Sequence, residues 1–271
     1  MITVIVISII IFLLFLIFVL SLVGRRKHPG FEKLQGWAYA HRGLHGNGIP
    51  ENSMLAFRQA LEKGYGIELD VHLMKDGNLA VIHDASLKRT AGVDVNIENL
   101  TLEDLSDYHL EDTEERIPLF EDVLKLFAGK APLIVELKPV KNHAKLCEAV
   151  SQLLDKYPGV FCVESFDPRC IIWFKKNRPQ FIRGQLSENF LANPRSKLPI
   201  VLKCVMSWNM GNFLSMPDFV AYKFADRNNL TVKLCRKLWL LQGVTWTLRT
   251  QEEYNTAVAE GWLPIFENFE P

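Results

Sequence analysis

Gly66-Ile67-Glu68-Leu69-Asp70-Val71 is a strand-forming run that carries two carboxylates. On an extended backbone alternate side chains share a face, so Ile67, Leu69 and Val71 point one way and Glu68 and Asp70 the other. The apolar face suits packing against helices, which turns the acidic face inward. Like charges at this spacing repel and are costly to bury, so a cation should offset them. Hard divalent ions take carboxylate oxygens most readily, and an ion pair with Arg or Lys is the simpler alternative.

A second buried-type strand, Leu133-Ile134-Val135-Glu136-Leu137-Lys138, places a carboxylate and an ammonium two residues apart on one face. Glu136 can complete a three-carboxylate metal site with Glu68 and Asp70, and Lys138, nearer the strand end, can meet a phosphate oxygen. A plain Glu136–Lys138 pair would instead make Lys138→Met nearly silent. His41-Arg42-Gly43 and His83-Asp84 each follow an apolar run. Two imidazoles beside a carboxylate metal site can act as general base and general acid, the division of labour that P–O cleavage needs. Arg42 adds a guanidinium suited to non-bridging phosphate oxygens. His28, His45, His72, His109 and His143 lack such company, although His72 is in phase with Glu68 and Asp70. Trp246, Phe166 and Trp208 are candidates to line a pocket for a glycerol or lipid moiety, Trp246 foremost.

From Trp37 onward, short aliphatic or β-branched runs alternate with longer amphipathic stretches, the rhythm of βα units around a parallel sheet. The runs predict strands at 37–41, 66–71, 132–137, 160–164, 180–184, 201–205, 218–222, 243–247 and 263–266. A closed α/β barrel has eight, so one of the nine should lie elsewhere. Asn52 or Ser53, with Ser53 preferred, should cap a helix that Gly64 stops. Asp76-Gly77 signals a turn, so 66–83 reads as a hairpin-like excursion that delivers His83 to a strand end. Between about 84 and 118 the periodicity fades and acids collect, among them Glu103, Asp104, Asp107, Glu111, Asp112, Glu114 and Glu115. This reads as an insertion with a solvated charged face.

Residues 2 to 23 are apolar apart from Thr3, Ser8 and Ser21, long enough to cross roughly 30 Å of hydrocarbon as a helix. A signal peptide would want a basic start, a shorter apolar core and a small-residue cleavage site. The expected organisation is therefore a transmembrane helix at 1–24, a basic linker at 25–36 and one barrel domain at 37–271. Arg25, Arg26 and Lys27 follow the span and no basic residue precedes it, which places the barrel in the cytoplasm and the N-terminus outside. Five cysteines without metal-ligand spacing suit a reduced compartment. Acidic and basic residues balance at 31 each, against a nucleic-acid partner that would need a broad positive surface.

The ordered series His41-Arg42-Gly43, Pro50-Glu51-Asn52-Ser53, Gly66 to Val71, Lys75-Asp76-Gly77, His83-Asp84, Leu87, Arg89-Thr90 and Gly92 resembles the glycerophosphodiester phosphodiesterase family. The likeness continues through Ile117-Pro118, Val135 to Lys138, Ser165-Phe166 and Trp246-Thr247, and so covers nearly everything after residue 36. It implies a TIM barrel with a small insertion after the second strand, cutting glycerophosphodiesters to glycerol 3-phosphate and an alcohol with one divalent metal ion, Ca2+ or Mg2+. By the same resemblance Glu68, Asp70 and Glu136 bind the metal, His41 and His83 move protons, Arg42 and Lys138 hold phosphate, and Glu51 stands near the metal. Two departures are evident: Arg249 stands where the family usually has Asn, and Phe266-Glu267-Asn268-Phe269-Glu270-Pro271 replaces its usual closing Thr-Asp pair before Pro. Within the enzyme class, a lysophospholipase D working on lysolipids at the membrane is the variant reading. Outside it stands a membrane-anchored phosphate-binding module without turnover.

Overall fold

Every βα unit of this chain feeds its strand into one closed sheet. The computed structural model describes residues 1–26 and 28–271, so Lys27 of the basic run lies outside the described residues. Helix α1 (Ile2–Ser21) precedes β1 (Tyr39–His41), α2 (Met54–Glu62), β2 (Gly66–Leu73), β3 (Leu79–Val81), α3 (Lys88–Ala91), α4 (Phe120–Phe127) and β4 (Leu133–Leu137). Then come α5 (His143–Leu154), β5 (Phe161–Ser165), α6 (Pro168–Asn177), β6 (Arg183–Ser187), α7 (Ile200–Ser207), α8 (Asn212–Ser215) and β7 (Phe219–Lys223). The chain ends with α9 (Leu230–Lys237), β8 (Gln242–Leu248), α10 (Gln251–Ala259) and β9 (Trp262–Phe266). Strands β1, β2 and β4 to β9 run parallel, and pairing of β1 with both β2 and β9 closes the ring of eight, a TIM barrel.

The ninth strand is the hairpin partner: β3 runs antiparallel to β2, with Val71 opposite Val81, and carries the chain on to His83. The segment after it has its own small core of Leu87, Ile97, Leu100, Leu105, Leu110 and Ile117, as an insertion should. Of its acids, Asp104 accepts from Thr101 and Glu115 from the Leu55 backbone. None joins a metal-like cluster among the described residues.

Residues 201–205, expected as a strand, are helical, and β6 pairs directly with β7. Pro199 supplies the first helical carbonyl, to Lys203, at 2.9 Å. The apolar run that resembled a buried strand lies on the outside, with Ile200 and Val201 67% and 68% exposed. Composition without periodicity could not separate the two states. Strand β6 also begins three residues later than its apolar run suggested, because Phe181 and Ile182 form the approach to it.

Two cores follow from strand alternation. Outward residues Ile67, Leu69, Val71, Val135 and Leu137 pack with helix residues such as Phe57, Phe120, Phe127 and Phe174. Inward residues Tyr39, Ile134, Cys162, Ile182, Phe219 and Ile265 fill the N-terminal half of the barrel. Phe31 and Leu34 close that end, and Tyr39 donates its hydroxyl hydrogen to the Leu34 carbonyl at 2.7 Å. Arg25, Phe31 and Leu34 of the expected linker therefore pack against the barrel. Leu22 is buried with Val220, Cys235 and Leu241, and Arg25 donates to Asp218 and to the Pro179 and Phe181 carbonyls. The cysteines are all free, and all but Cys204 are buried.

Gly184 faces inward, where an added Cβ would lie 2.0 Å from the fully buried Phe219 ring. Gly184→Ala should cost about 1–3 kcal/mol by overpacking, read as a lower urea midpoint for the detergent-solubilised chain.

Candidate active site

Each inward column changes character as it climbs. Ile134 gives way to Glu136 and then Lys138, Cys162 to Glu164, and Tyr39 to His41. Parallel register aligns the columns: His41 lies opposite Glu68, Asp70 opposite Glu136 and Glu136 opposite Glu164. The C-terminal mouth of the barrel thus gathers four carboxylates, each nearly inaccessible to solvent. His41, Arg42, His83, Phe166 and Trp246 line the same cavity.

Glu68, Asp70 and Glu136 each offer an oxygen within 4.8 Å of the others. Burial, then repulsion from Asp70, Glu136 and Glu164, raises the Glu68 carboxyl well above the carboxylate range. Glu136 is pushed up to about 7 by burial, although Lys138 draws it down. Asp70 goes the other way: burial opposes ionisation, but Lys138, His83 and Arg42 hold its carboxyl well below the usual range. Lys138 Nζ lies 2.8 Å from Asp70 and 2.9 Å from Glu136. Lys138 and Arg42 offset only part of the charge that the four acids would carry if all were ionised; protons take up the rest, and the all-oxygen donor set fits a hard divalent ion that would replace them. Glu68, Asp70 and Glu136 would hold it.

The two histidines have the same arrangement. His41 Nδ1 is 2.8 Å from Glu267 Oε1, and His83 Nδ1 is 2.7 Å from Asp84 Oδ1. A carboxylate accepts, so each Nδ1 donates and each Nε2 keeps its lone pair. His41 Nε2 lies 3.8 Å from Glu68 Oε2, beside the carboxylate group. Burial pulls the His41 imidazole down to about 4 against the raising effect of Glu267, and burial also lowers His83. Burial thus shifts both rings toward the neutral form, in which Nε2 can accept a proton.

Arg42 sits in the left-handed region at φ 56° and reaches Glu51 at 2.9 Å and Asp70 at 3.5 Å. The turn closes on helix α2 through Gly43, at φ 81°, where a Cβ would meet Ala56 and Phe57 at 2.9 Å. Glu51 stands outside the three-carboxylate group, gripped by Arg42 and Arg89, and Arg89 also bonds Asp84. A continuous chain of charged bonds therefore links His83 to Asp70 through Asp84, Arg89, Glu51 and Arg42. Ser53 caps α2 through the Ala56 amide as expected. Asn52, at φ 53°, instead donates to Asp70 at 2.8 Å.

Several participants escaped the sequence reading. Glu164 is the fourth inward acid, with one oxygen unpartnered, and its signal was a lone carboxylate in the apolar run Phe161 to Ser165. Glu267 orients His41, and His45, set aside for lack of company, lies 3.5 Å from the same carboxylate. The two departures from the family pattern meet, since Arg249 pairs with Glu267 at 2.6 Å. His72 serves the scaffold: its Nε2 donates to the His83 carbonyl at 3.2 Å. Phe166 and Trp246 form an edge-on pair at 5.8 Å, with Trp246 Nε1 buried and unpartnered, whereas Trp208 does not line the cavity.

A barrel whose mouth joins buried acids, guanidinium and anchored imidazoles is equipped as an enzyme that breaks phosphodiesters, and comparison with known proteins gives the same class. The chain belongs to the glycerophosphoryl diester phosphodiesterase family, whose model matches residues 41–269. It is 42% identical to a glycerophosphodiester phosphodiesterase of Caldanaerobacter subterraneus, over 82% of this chain and 89% of the relative. It is 36% identical to a lysophospholipase D of Rattus norvegicus, over 44% of this chain and 40% of that protein. The match to a Bacillus altitudinis glycerophosphodiester phosphodiesterase, 39% identical, spans about half of each chain, 45% of this one and 48% of the relative. Among solved structures, an Oleispira antarctica phosphodiesterase in complex with the product sn-glycerol-3-phosphate superposes with TM-score 0.72 at 18% identity, over 90% of this chain and 95% of the other. At that identity the likeness speaks for the fold.

Because protons on Glu68 and Glu136 must leave before an ion binds, divalent-ion affinity should strengthen from pH 6 to pH 8, as read by calorimetric titration of the chelator-treated protein. Affinity that is flat or falls over this range would contradict the assigned donor set.

Proposed function

We propose that this chain hydrolyses glycerophosphodiesters to glycerol 3-phosphate and an alcohol, with one divalent ion, Ca2+ or Mg2+, held by Glu68, Asp70 and Glu136. What carries the reading is the pair of histidines, each fixed through Nδ1 by a carboxylate, flanking three buried carboxylates that share one point. The ion, when bound, supplies neutralisation of phosphate charge and a lower pKa for the attacking oxygen. One imidazole takes the proton of that oxygen through Nε2, and the other, which must carry a proton on Nε2 as imidazolium when substrate is bound, gives that proton to the departing alkoxide. Arg42 and Lys138 hold the non-bridging phosphate oxygens, with Glu51 fixing the Arg42 guanidinium. Trp246, with its free indole N–H, meets a hydroxyl of the glycerol. The attacker is water or the neighbouring glycerol hydroxyl, and trapping a cyclic phosphate from a slow substrate identifies the second.

His41→Ala should lower kcat by about a hundred- to ten-thousandfold with little change in KM. Glu267→Gln should act in the same direction more weakly, because it leaves Nε2 in place. Chelation should abolish release of glycerol 3-phosphate. Activity that survives both chelation and His41→Ala would sink the assignment, and tight ligand binding with no hydrolysis under any metal would favour the binding-module reading.

A specific observation favours the lysophospholipase D variant. An apolar groove of ≈580 Å3, lined by Phe166, Phe190, Leu198, Leu202 and Met206, begins at the ring that also walls the carboxylate cavity. A single acyl chain suits such a groove, and lysophosphatidylcholine should then outcompete glycerophosphocholine when both are offered below micellar concentration.

We further propose that α1 spans a membrane with the barrel on the cytoplasmic side. Its 20 residues are long and apolar enough to do so, and none is buried. Arg25 and Arg26 follow at its C-terminal end. Protease added to intact cells should leave the barrel whole.

A further inference from the structure

On the flank of the barrel, towards the N-terminal ends of its strands and away from the catalytic mouth, lies a cleft of ≈690 Å3 between α9 and the approach to β9. Arg227, Lys233, Arg236 and Lys237 line it against a single carboxylate, Glu260. That carboxylate is taken by Arg227 at 3.1 Å. Among the described residues Lys233, Arg236 and Lys237 enter no ion pair. Arg236 is held ready, stacked 3.8 Å over Trp262 and donating to the Glu260 and Gly261 carbonyls. A guanidinium fixed on an aromatic face and flanked by free ammonium groups is a receptor for a phosphate-sized anion.

The cleft also adjoins the end of the apolar helix. Leu240 and Leu241 line it, and Leu241 packs on Leu22. Trp239 Nε1 donates to the Val19 carbonyl at 3.0 Å. Arg26 lies over the Trp239 ring and donates to the Leu238 carbonyl. Leu238 and Leu240 are themselves about half exposed, at 47% and 48%. An indole against the last turn of a span, between exposed leucines and arginine, marks the depth where hydrocarbon gives way to headgroups.

We infer that this cleft is a second binding site, distinct from the catalytic mouth, for the phosphate headgroup of an anionic phospholipid beside α1. The inference rests on the reading of α1 as a membrane span. The lipid bound here is not the substrate, since the catalytic carboxylates lie at the opposite end of the strands. It pins the foot of the barrel to the bilayer surface and selects membranes rich in anionic lipid.

The test uses the full chain in detergent, titrated with phosphatidylglycerol or phosphatidylcholine of matched acyl chains and read by native mass spectrometry. Phosphatidylglycerol should be retained preferentially. Lys233→Gln with Lys237→Gln should weaken it about fivefold per charge removed, as expected for a basic residue near an anionic surface, and leave phosphatidylcholine retention unchanged. Both lysines are exposed, so hydrolysis of glycerophosphocholine should continue at its wild-type rate and report that the variant is folded. Equal retention of the two lipids, or no effect of the double substitution, overturns the site. Complete displacement of phosphatidylglycerol by millimolar glycerol 3-phosphate overturns the lipid assignment in favour of a soluble anion. Release of the chain from membranes by alkaline carbonate overturns the span itself, a result separate from any of these.

Discussion

Everything at the mouth of this barrel follows from the burial of Glu68, Asp70, Glu136 and Glu164 on the inward face of three adjacent strands. Such a cluster repels itself and forfeits hydration, so it persists only where cations or protons compensate. Lys138 bridges Asp70 and Glu136, Arg42 leans on Asp70, and the deficit that remains is what a divalent ion would fill. The backbone nearby is unusual at the residues that contact this cluster. Arg42 and Asn52 both stand at positive φ, and from there the guanidinium of one and the amide of the other reach Asp70.

The barrel makes this burial tolerable by separating two environments along one axis. Apolar side chains of the inward columns, closed from below by Phe31 and Leu34, give a dry base on which the charged layer is fixed. Above it the charged groups are held mostly by other side chains: carboxylates orient the imidazoles, and Arg89 and Glu51 orient Arg42. The altered C-terminal segment keeps this arrangement. Arg249 and Glu267, each a departure from the family pattern, neutralise one another while Glu267 serves His41.

Much of this was legible in the sequence because strand alternation is a local rule. The period of two in Gly66 to Val71 and in Leu133 to Lys138 told which residues face inward, and parallel register then brought them together. The hairpin at Asp76-Gly77 and the cap at Ser53 were equally local. What failed was non-local or aperiodic. The 201–205 run had strand composition without strand periodicity, and only the direct pairing of β6 with β7 removes it from the sheet. Glu267 and His45 meet across more than two hundred residues, a contact that no spacing announces. The basic segment after the apolar helix reads only as a linker because nothing in its composition reveals that Asp218 and two distant carbonyls await Arg25.

That packed segment bears on how the enzyme meets its substrates. A barrel on a loose string would tumble and present its mouth in every direction, whereas one gripped at Leu22, Arg25 and Phe31 has lost the swivel. Were α1 seated in a bilayer, as proposed, the opening would take one heading and one height above the lipid. Which molecules arrive there, those drifting in from the aqueous phase or those lifted out of the leaflet, would then be decided by the angle at which a single helix leaves its domain.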